Sequence, residues 1–237
     1  KKADRKVVSI FVNPTQFEQQ EDLDKYPRTM DEDLKKLEAL GVDLVFAPEA
    51  KEMYPQGRLV TQVDIPEISC LLEGSSRPGH FRGVATVVTK LFNIVAPDVA
   101  VFGQKDFQQL MLIRQMVSDL DMPIEVVAAP TVRESDGLAM SSRNNRLTAE
   151  QRQLAPHVYR VLQYVETQLS KGVKAFESLQ EEAMKELDGL GFKSDYIQVC
   201  DANTLLPANE ADKELVILVA AYMGDIRLID NVPVQLV

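Results

Sequence analysis

With 237 residues, 45% of them hydrophobic and 26% charged, the chain can bury roughly 70% of its unfolded surface and has the balance of a globular rather than a disordered protein. A net charge of −10 and a sequence pI near 4.8 exclude broad attraction to nucleic acid or anionic membrane, so any phosphate must be met by locally gathered Arg and Lys. Cys70 and Cys200 are the only cysteines; far apart and without a CxxC, they point to neither a disulfide scaffold nor a zinc site and fit a reducing cytoplasm.

The β-branched run Val7–Val12 reads as a strand buried on both faces. It stops at Asn13-Pro14, because proline lacks the N–H that further ladder pairing needs. Asn13 and Gln16 therefore arrive at a strand's C-terminal edge, where open parallel α/β sheets bind ligands. Two neutral amides there suit a substrate bearing hydroxyls; an Asn-Pro turn with a solvated Gln is the other reading. Thr29 and Glu32 have capping-box spacing, and Leu34, Leu37 and Leu40 continue a helical stripe ended by Gly41. Asp31, Glu32 and Asp33 with Tyr26 are either a divalent-cation cluster or, as acids commonly are, placed to favour a helix N-terminus. Val42–Ala47 reads as the next strand, Lys51–Gly57 as a short helical turn and Leu59–Ile65 as a third extended piece.

Gly74–Gly83 is a glycine-punctuated loop carrying Arg77 and His80, the latter either a donor to an anion or a structural side chain. A helix is predicted over Val84–Val95, a strand over Asp98–Phe102, a helix over Phe107–Leu120 and a strand over Ile124–Ala129, ended by Pro130. This β-α-β succession predicts a parallel, doubly wound sheet with right-handed crossovers. Gly103-Gln104-Lys105-Asp106 lies between strand and helix, so that backbone amides and the Lys105 charge can face an anion; a helix start with a surface lysine is the plainer alternative. Gln109 follows on the first helical turn.

Beyond Pro130 the character changes. The polar stretch Thr131–Arg146 includes Ser141-Ser142-Arg143-Asn144, which offers two hydroxyls and a guanidinium fork for phosphate, or simply a helix-capping loop. Arg133 is a further cation, or a surface charge. Two helical patterns follow, Thr148–Lys171 divided or kinked at Pro156, and Ala175–Leu190; His157 reads as structural. Tyr196–Val199 and Leu215–Tyr222 read as strands, the second turning at Met223-Gly224-Asp225 into Ile226–Ile229 as an antiparallel hairpin. The longest apolar run, Leu215–Met223, is far short of the ~20 residues of a membrane span. We place a boundary near Pro130, between a domain over 1–130 and a smaller α+β domain over 131–237.

Taken in order, FVNPTQF, DLDKYPRT, LEGSSRPGHFRGVATVVTKLFN, VFGQKDFQQL, DGLAMSSRN and LVAAYMGDIRLIDN resemble the pantoate–β-alanine ligase (pantothenate synthetase) family over nearly the whole chain. The resemblance implies an α/β fold: a Rossmann-like doubly wound parallel sheet, nucleotidylyltransferase-like, that binds nucleotide and pantoate, with a smaller α+β C-terminal lid domain. It implies condensation of pantoate with β-alanine to pantothenate through pantoyl adenylate, consuming Mg²⁺-bound ATP and releasing AMP and pyrophosphate. Gly103, Gln104, Lys105, Asp106, Val132, Met140, Ser141, Ser142 and Arg143 would surround ATP, with Lys105, Ser141, Ser142 and Arg143 acting at its phosphates. Asn13, Gln16 and Gln109 would hold pantoate, Gln16 also near β-alanine, with Arg77 and His80 lining the same cleft. Gln104 stands where many members carry Glu, a change of little consequence where the backbone makes the contacts. A cytoplasmic homodimer is implied, with no nucleic-acid or membrane partner and with metal ligands unassigned.

One departure stands out. The family's His-x-G-His signature, in a strand–helix unit upstream of SIFVNP, has no counterpart in this sequence, and its histidines contact the triphosphate as charge develops. The expectation is that this unit belongs to the full gene product and that the chain is impaired without it. Two other readings are open at this point: a nucleotidylyltransferase of similar fold, separable because AMP release would not need β-alanine, and a non-catalytic nucleotide-binding module.

Overall fold

A computed structural model describes residues 3–16, 29–57 and 59–236. The chain divides into two compact units: Lys1–Cys70 with Gly74–Val101 and Leu112–Val127, and Leu71–Glu73 with Phe102–Met111 and Ala128–Val237.

In the first unit, β1 (Val7–Ser9) pairs in parallel with β2 (Leu44–Phe46), Val8 opposite Val45. Asp43 fastens the start of this pair: its carboxylate accepts from the Lys6 N–H at 2.8 Å and from Arg5 at 3.0 Å. The strand is shorter than the apolar run, and the expectation of burial on both faces fails, since Val7 is 41% and Leu44 55% exposed. Among the described residues β1 has only β2 beside it; an apolar run records composition, whereas burial depends on what flanks each side.

Helix α1 (Met30–Ala39) forms as the leucine stripe predicts, but without the capping box: the Thr29 hydroxyl donates to Asp33 at 3.0 Å instead of capping the backbone. The short α2 (Ala50–Met53) does carry such a box, between Glu49 and Glu52. Leu59–Ile65 is not a strand. There the Val63 N–H donates to the Thr86 hydroxyl at 3.0 Å, a side chain taking the place of a neighbouring strand, before α3 (Pro66–Ser69) begins.

The stretch Gly74–Gly83 is also more ordered than its glycines suggest. It holds most of α4 (Leu72–Ser76) and the first turn of α5 (His80–Val95), because Gly79 takes φ +82°, a left-handed conformation open to glycine, and so turns the chain into the helix at His80. Phe81, Val84, Ala85, Val87, Val88 and Phe92 bury the helix. Further along, β3 (Val99–Gly103) pairs with β4 (Glu125–Ala129), and α6 (Phe107–Asp119) joins them in sequence, the expected β-α-β order.

The second unit contains a separate antiparallel sheet of β5 (Lys193–Asp201), β6 (Glu214–Met223) and β7 (Ile226–Gln235), in that spatial order. β6 is central and buried from Leu215 to Ala221, which is why it reads as an unbroken apolar run. β7 extends well past Ile229, and Pro233 is tolerated because the strand lies at the sheet's edge. Pro156 divides the long helical pattern into α7 (Ala149–Leu154), opened by a Thr148–Gln151 capping box, and α8 (His157–Ser170); α9 (Phe176–Gly189) follows. Val158, Val161, Leu162, Val165 and Leu169 of α8 and Leu179, Ala183 and Leu187 of α9 form one core with Leu215, Ile217, Val219 and Ala221 of β6. Each fully buried leucine there contributes about 1.5–3 kcal/mol. Among the described residues no helix is long and apolar enough to cross a membrane.

Candidate active site

Past the end of β1 at Ser9, the extended chain through Asn13 runs into a 3₁₀ turn, Pro14–Gln16, set against the first turns of α5. Asn13 is buried, and its amide is occupied within the protein. Its Oδ1 accepts from the Tyr54 hydroxyl at 2.7 Å and from the Thr15 hydroxyl at 2.9 Å. Its Nδ2 donates to Gln16 Oε1 and to the Gly83 carbonyl, each at 3.3 Å. Burial pushes the Tyr54 phenol up, more than its bond with Thr15 draws it down, so it stays protonated and donating at neutral pH.

The Gln16 carbonyl is held from the other side. His80 Nδ1 lies 2.8 Å from it and Arg77 donates to it at 3.2 Å. A carbonyl can only accept, so the His80 ring carries its proton on Nδ1. Gly83 allows the close approach: a Cβ there would meet the Thr15 carbonyl oxygen at 2.6 Å. The structure thus brings Asn13, Gln16, Arg77 and His80 together, with His80 on a helix start rather than in a loop. Beside them opens a cavity of ≈ 310 Å³ whose polar lining includes Thr15, Gln16, Gln62, His80, Arg82 and Thr86. None of its described lining residues is acidic. Amides, hydroxyls and a guanidinium around such a volume are suited to a small hydroxylated or amino acid that presents a carboxylate.

The second group belongs to the second unit. Gly103 ends β3, and Gln104–Asp106 form a 3₁₀ turn that leads into α6. Lys105 and Gln109 are half-buried. The neighbour of Gln109, Gln108, is spent on structure, donating to the Leu71 carbonyl at 2.8 Å and accepting from the Glu73 N–H at 3.1 Å. Val132 and Met140, both exposed, are joined by the Met140 N–H donating to the Val132 carbonyl at 2.9 Å. Ser141 caps the 3₁₀ turn Ser142–Arg146, its hydroxyl accepting from the Arg143 N–H at 3.3 Å. That turn and the one at Gln104–Asp106 both pack on β7.

Arg133 is neither a phosphate ligand nor a surface charge. It forks onto Asp230 at 2.5 and 2.9 Å and lies 3.7 Å over the Tyr159 ring. Its loop turns at Gly137, whose φ of +94° and whose missing Cβ, which would fall 2.7 Å from Tyr159, both require glycine. His157 is structural, with Nδ1 on the Leu154 carbonyl at 2.9 Å. Both cysteines are free, and burial pushes the Cys200 thiol up to about 12, which removes it as a nucleophile at neutral pH. Among the described residues no three His, Cys, Asp or Glu side chains gather as a metal site; Tyr26 of the suggested cation cluster lies outside the described residues.

A family model described as pantoate-beta-alanine ligase matches residues 1–233. The chain belongs to the pantoate–β-alanine ligase family. Its fold is similar to pantothenate synthetase from Thermus thermophilus, at 45% identity and a TM-score of 0.90, over 97% of this chain and 83% of that one. It is also similar to pantoate-beta-alanine ligase from Francisella tularensis, a structure complexed with beta-gamma ATP and beta-alanine, at 38% identity and a TM-score of 0.81, over 98% of this chain and 80% of that one. The activity that goes with this membership is ATP-dependent synthesis of pantothenate from pantoate and β-alanine.

Several residues of the two groups escaped the sequence reading. Tyr54 and Gln62 carry no local motif and become visible only through their neighbours, while Thr15 and Arg82 lie within FVNPTQF and LEGSSRPGHFRGVATVVTKLFN without a role of their own being read there. Asp230 and Asn231 did leave a signal: two adjacent polar residues between the apolar pairs Leu228-Ile229 and Val232-Pro233 of β7, both under 5% exposed.

Proposed function

We propose that the ligation runs in two steps on the two groups of residues just described. In the first, a pantoate carboxylate oxygen attacks the α-phosphorus of ATP; the new P–O bond forms as the α–β bridging bond breaks, giving pantoyl adenylate and pyrophosphate. In the second, the neutral amine of β-alanine attacks the acyl carbon, the C–N bond replaces the C–O bond to phosphate, the amine loses a proton and AMP departs. No covalent enzyme intermediate is needed, so the protein's contribution is placement and charge neutralisation.

Gln16 and Gln109 hold the pantoate hydroxyls, and Asn13, already engaged by Tyr54 and Thr15, orients Gln16. Arg77 and His80 fix the Gln16 backbone. The backbone of Gly103–Asp106 with Val132 and Met140 borders ATP, and Lys105, Ser141, Ser142 and Arg143 meet its phosphates. Mg²⁺ requires few protein ligands, since phosphate oxygens and waters fill most of its octahedral shell; when bound it lowers the triphosphate's charge. A domain over 1–130 for nucleotide and pantoate, a lid over 131–237, a homodimer and a cytoplasmic setting complete the reading.

The observation that carries this reading is the anchored Gln16 beside a polar cavity whose described lining has no acid. The test is pantoate-dependent ATP–pyrophosphate exchange, followed by AMP release on adding β-alanine. Lys105→Ala is expected to lower exchange by on the order of a hundredfold or more. Unchanged exchange in that variant would remove Lys105 from the mechanism, and AMP release indifferent to β-alanine would refute the ligase assignment.

A further inference from the structure

β7 presents two adjacent polar residues to opposite sides, as successive strand positions must. Asp230 lies on the side of the strand that carries Leu228 and Val232 into the core, and there pairs with Arg133. Asn231 is on the other side, 3% exposed, and its Nδ2 donates to two carbonyls at once, those of Gln104 and Lys105, each at 2.9 Å. Turning the amide over would set its oxygen against two carbonyl oxygens, so only this orientation is open to it. Among the described residues Asn231 Oδ1 is then buried without a hydrogen-bond partner. An amide that spends both of its N–H groups on two backbone carbonyls holds those carbonyls in place.

The two gripped carbonyls belong to the two peptide groups on either side of the Lys105 Cα. Peptide groups are planar and trans, and no cis bond occurs among the described residues. Holding both planes therefore fixes the Lys105 backbone and the direction in which its Cα–Cβ bond leaves the chain. Asn231 is itself held at both backbone ends. Its N–H donates to Asp230 at 2.8 Å, and its carbonyl accepts from Arg133 at 3.4 Å.

We propose that Asn231 is a positioning residue for adenylation: by clamping the peptide groups flanking Lys105 it aims the Lys105 ammonium, with the Arg133–Asp230 pair holding the clamp. The inference rests on the assignment of Lys105 to the ATP phosphates. Aiming a charge affects the reacting state more than the binding of pantoate, so the loss falls on kcat rather than on KM.

The experiment measures pantoate-dependent ATP–pyrophosphate exchange in the wild-type chain, Asn231→Ala, Asn231→Ser, Lys105→Ala and the Lys105→Ala/Asn231→Ala double variant, with thermal melts monitored by circular dichroism. Asn231→Ala is expected to lower kcat at least tenfold with KM for pantoate within twofold. Asn231→Ser, which keeps one short donor and covers the case in which alanine prevents folding, falls between alanine and wild type. In the Lys105→Ala background, adding Asn231→Ala costs less than a further twofold, because the clamp acts only through the lysine. Equal losses in the two backgrounds, or wild-type kcat in folded Asn231→Ala and Asn231→Ser, would overturn the inference. Full exchange in Lys105→Ala alone would instead overturn the assignment beneath it.

Discussion

Replacing Gly83 by alanine separates the stability of the first unit from the placement of Gln16. A Cβ at this position would lie 2.6 Å from the Thr15 carbonyl oxygen and 2.9 Å from its carbon, where ordinary contact starts at 3.4 Å. The 3₁₀ turn must then retreat by about 0.8 Å. The Gln16 carbonyl is anchored at 2.8 Å by His80 and 3.2 Å by Arg77, and a retreat of that size takes both contacts past the usual hydrogen-bond range. Overpacking costs about 1–3 kcal/mol, while alanine is favoured over glycine inside a helix by about 1 kcal/mol. Urea unfolding should therefore register a loss of no more than about 2 kcal/mol. A misplacement near 1 Å, by contrast, can cost on the order of a hundredfold in rate. Pantoate-dependent exchange is expected to fall between tenfold and a hundredfold in a chain that remains folded. Exchange within twofold of wild type would refute the claim that the contact between α5 and the turn sets Gln16.

Tyr54→Phe removes the 2.7 Å donor to Asn13; urea unfolding should register a loss of about 1 kcal/mol, and steady-state kinetics a raised KM for pantoate, with an unchanged KM counting against the role of Asn13 in orienting Gln16. Arg133→Ala leaves the Asp230 carboxylate, 3% exposed, without its partner, so denaturant unfolding should register a loss of about 3–5 kcal/mol; less than 1 kcal/mol would mean that the pair is not the lock it resembles. Acid sensitivity has a definite sign. The Lys6 N–H, and after it Arg5, holds the Asp43 carboxyl below its ordinary value of 3.8, and Arg152 does the same for Asp136. A lowered folded-state pKa adds stability above the ordinary value that is lost as pH falls through the folded one. Asp43→Asn with Asp136→Asn should flatten the decline in melting temperature below about pH 4, and an unchanged slope would place the acid-labile groups elsewhere.

Much of the local structure follows directly from residue order. Pro156 divides α7 from α8 because an interior proline removes a helical hydrogen bond, and Val158, Val161, Leu162, Val165 and Leu169 repeat at the spacing that puts them on one face. The places of Gln16, Lys105 and Ser141 at element ends follow from residue order too, because the Pro, Gly, Ser and Asn residues beside them interrupt strands and helices. The misreadings have one origin. Leu59–Ile65 alternates like a strand, yet the Thr86 hydroxyl takes the bond from Val63 that a strand would have taken. Thr29 and Glu32 have the spacing of a capping box, but Asp33 captures the threonine hydroxyl.

The sequence by itself determined the order of elements, the apolar faces of α8 and β6, and the motifs that carry family membership, because each depends on residues close together in the chain. Tertiary structure alone decided which side chains are engaged and which residues set them. Asn13 accepts from Tyr54, 41 residues away, and donates to the Gly83 carbonyl, 70 residues away; Arg133 is neutralised by Asp230, 97 residues away; and the Gln104 and Lys105 carbonyls are gripped by Asn231, more than 120 residues along. Hydrogen bonds and ion pairs depend on distances of a few ångströms and on buried geometry, and separations of that length along a chain leave them unspecified until the chain has folded.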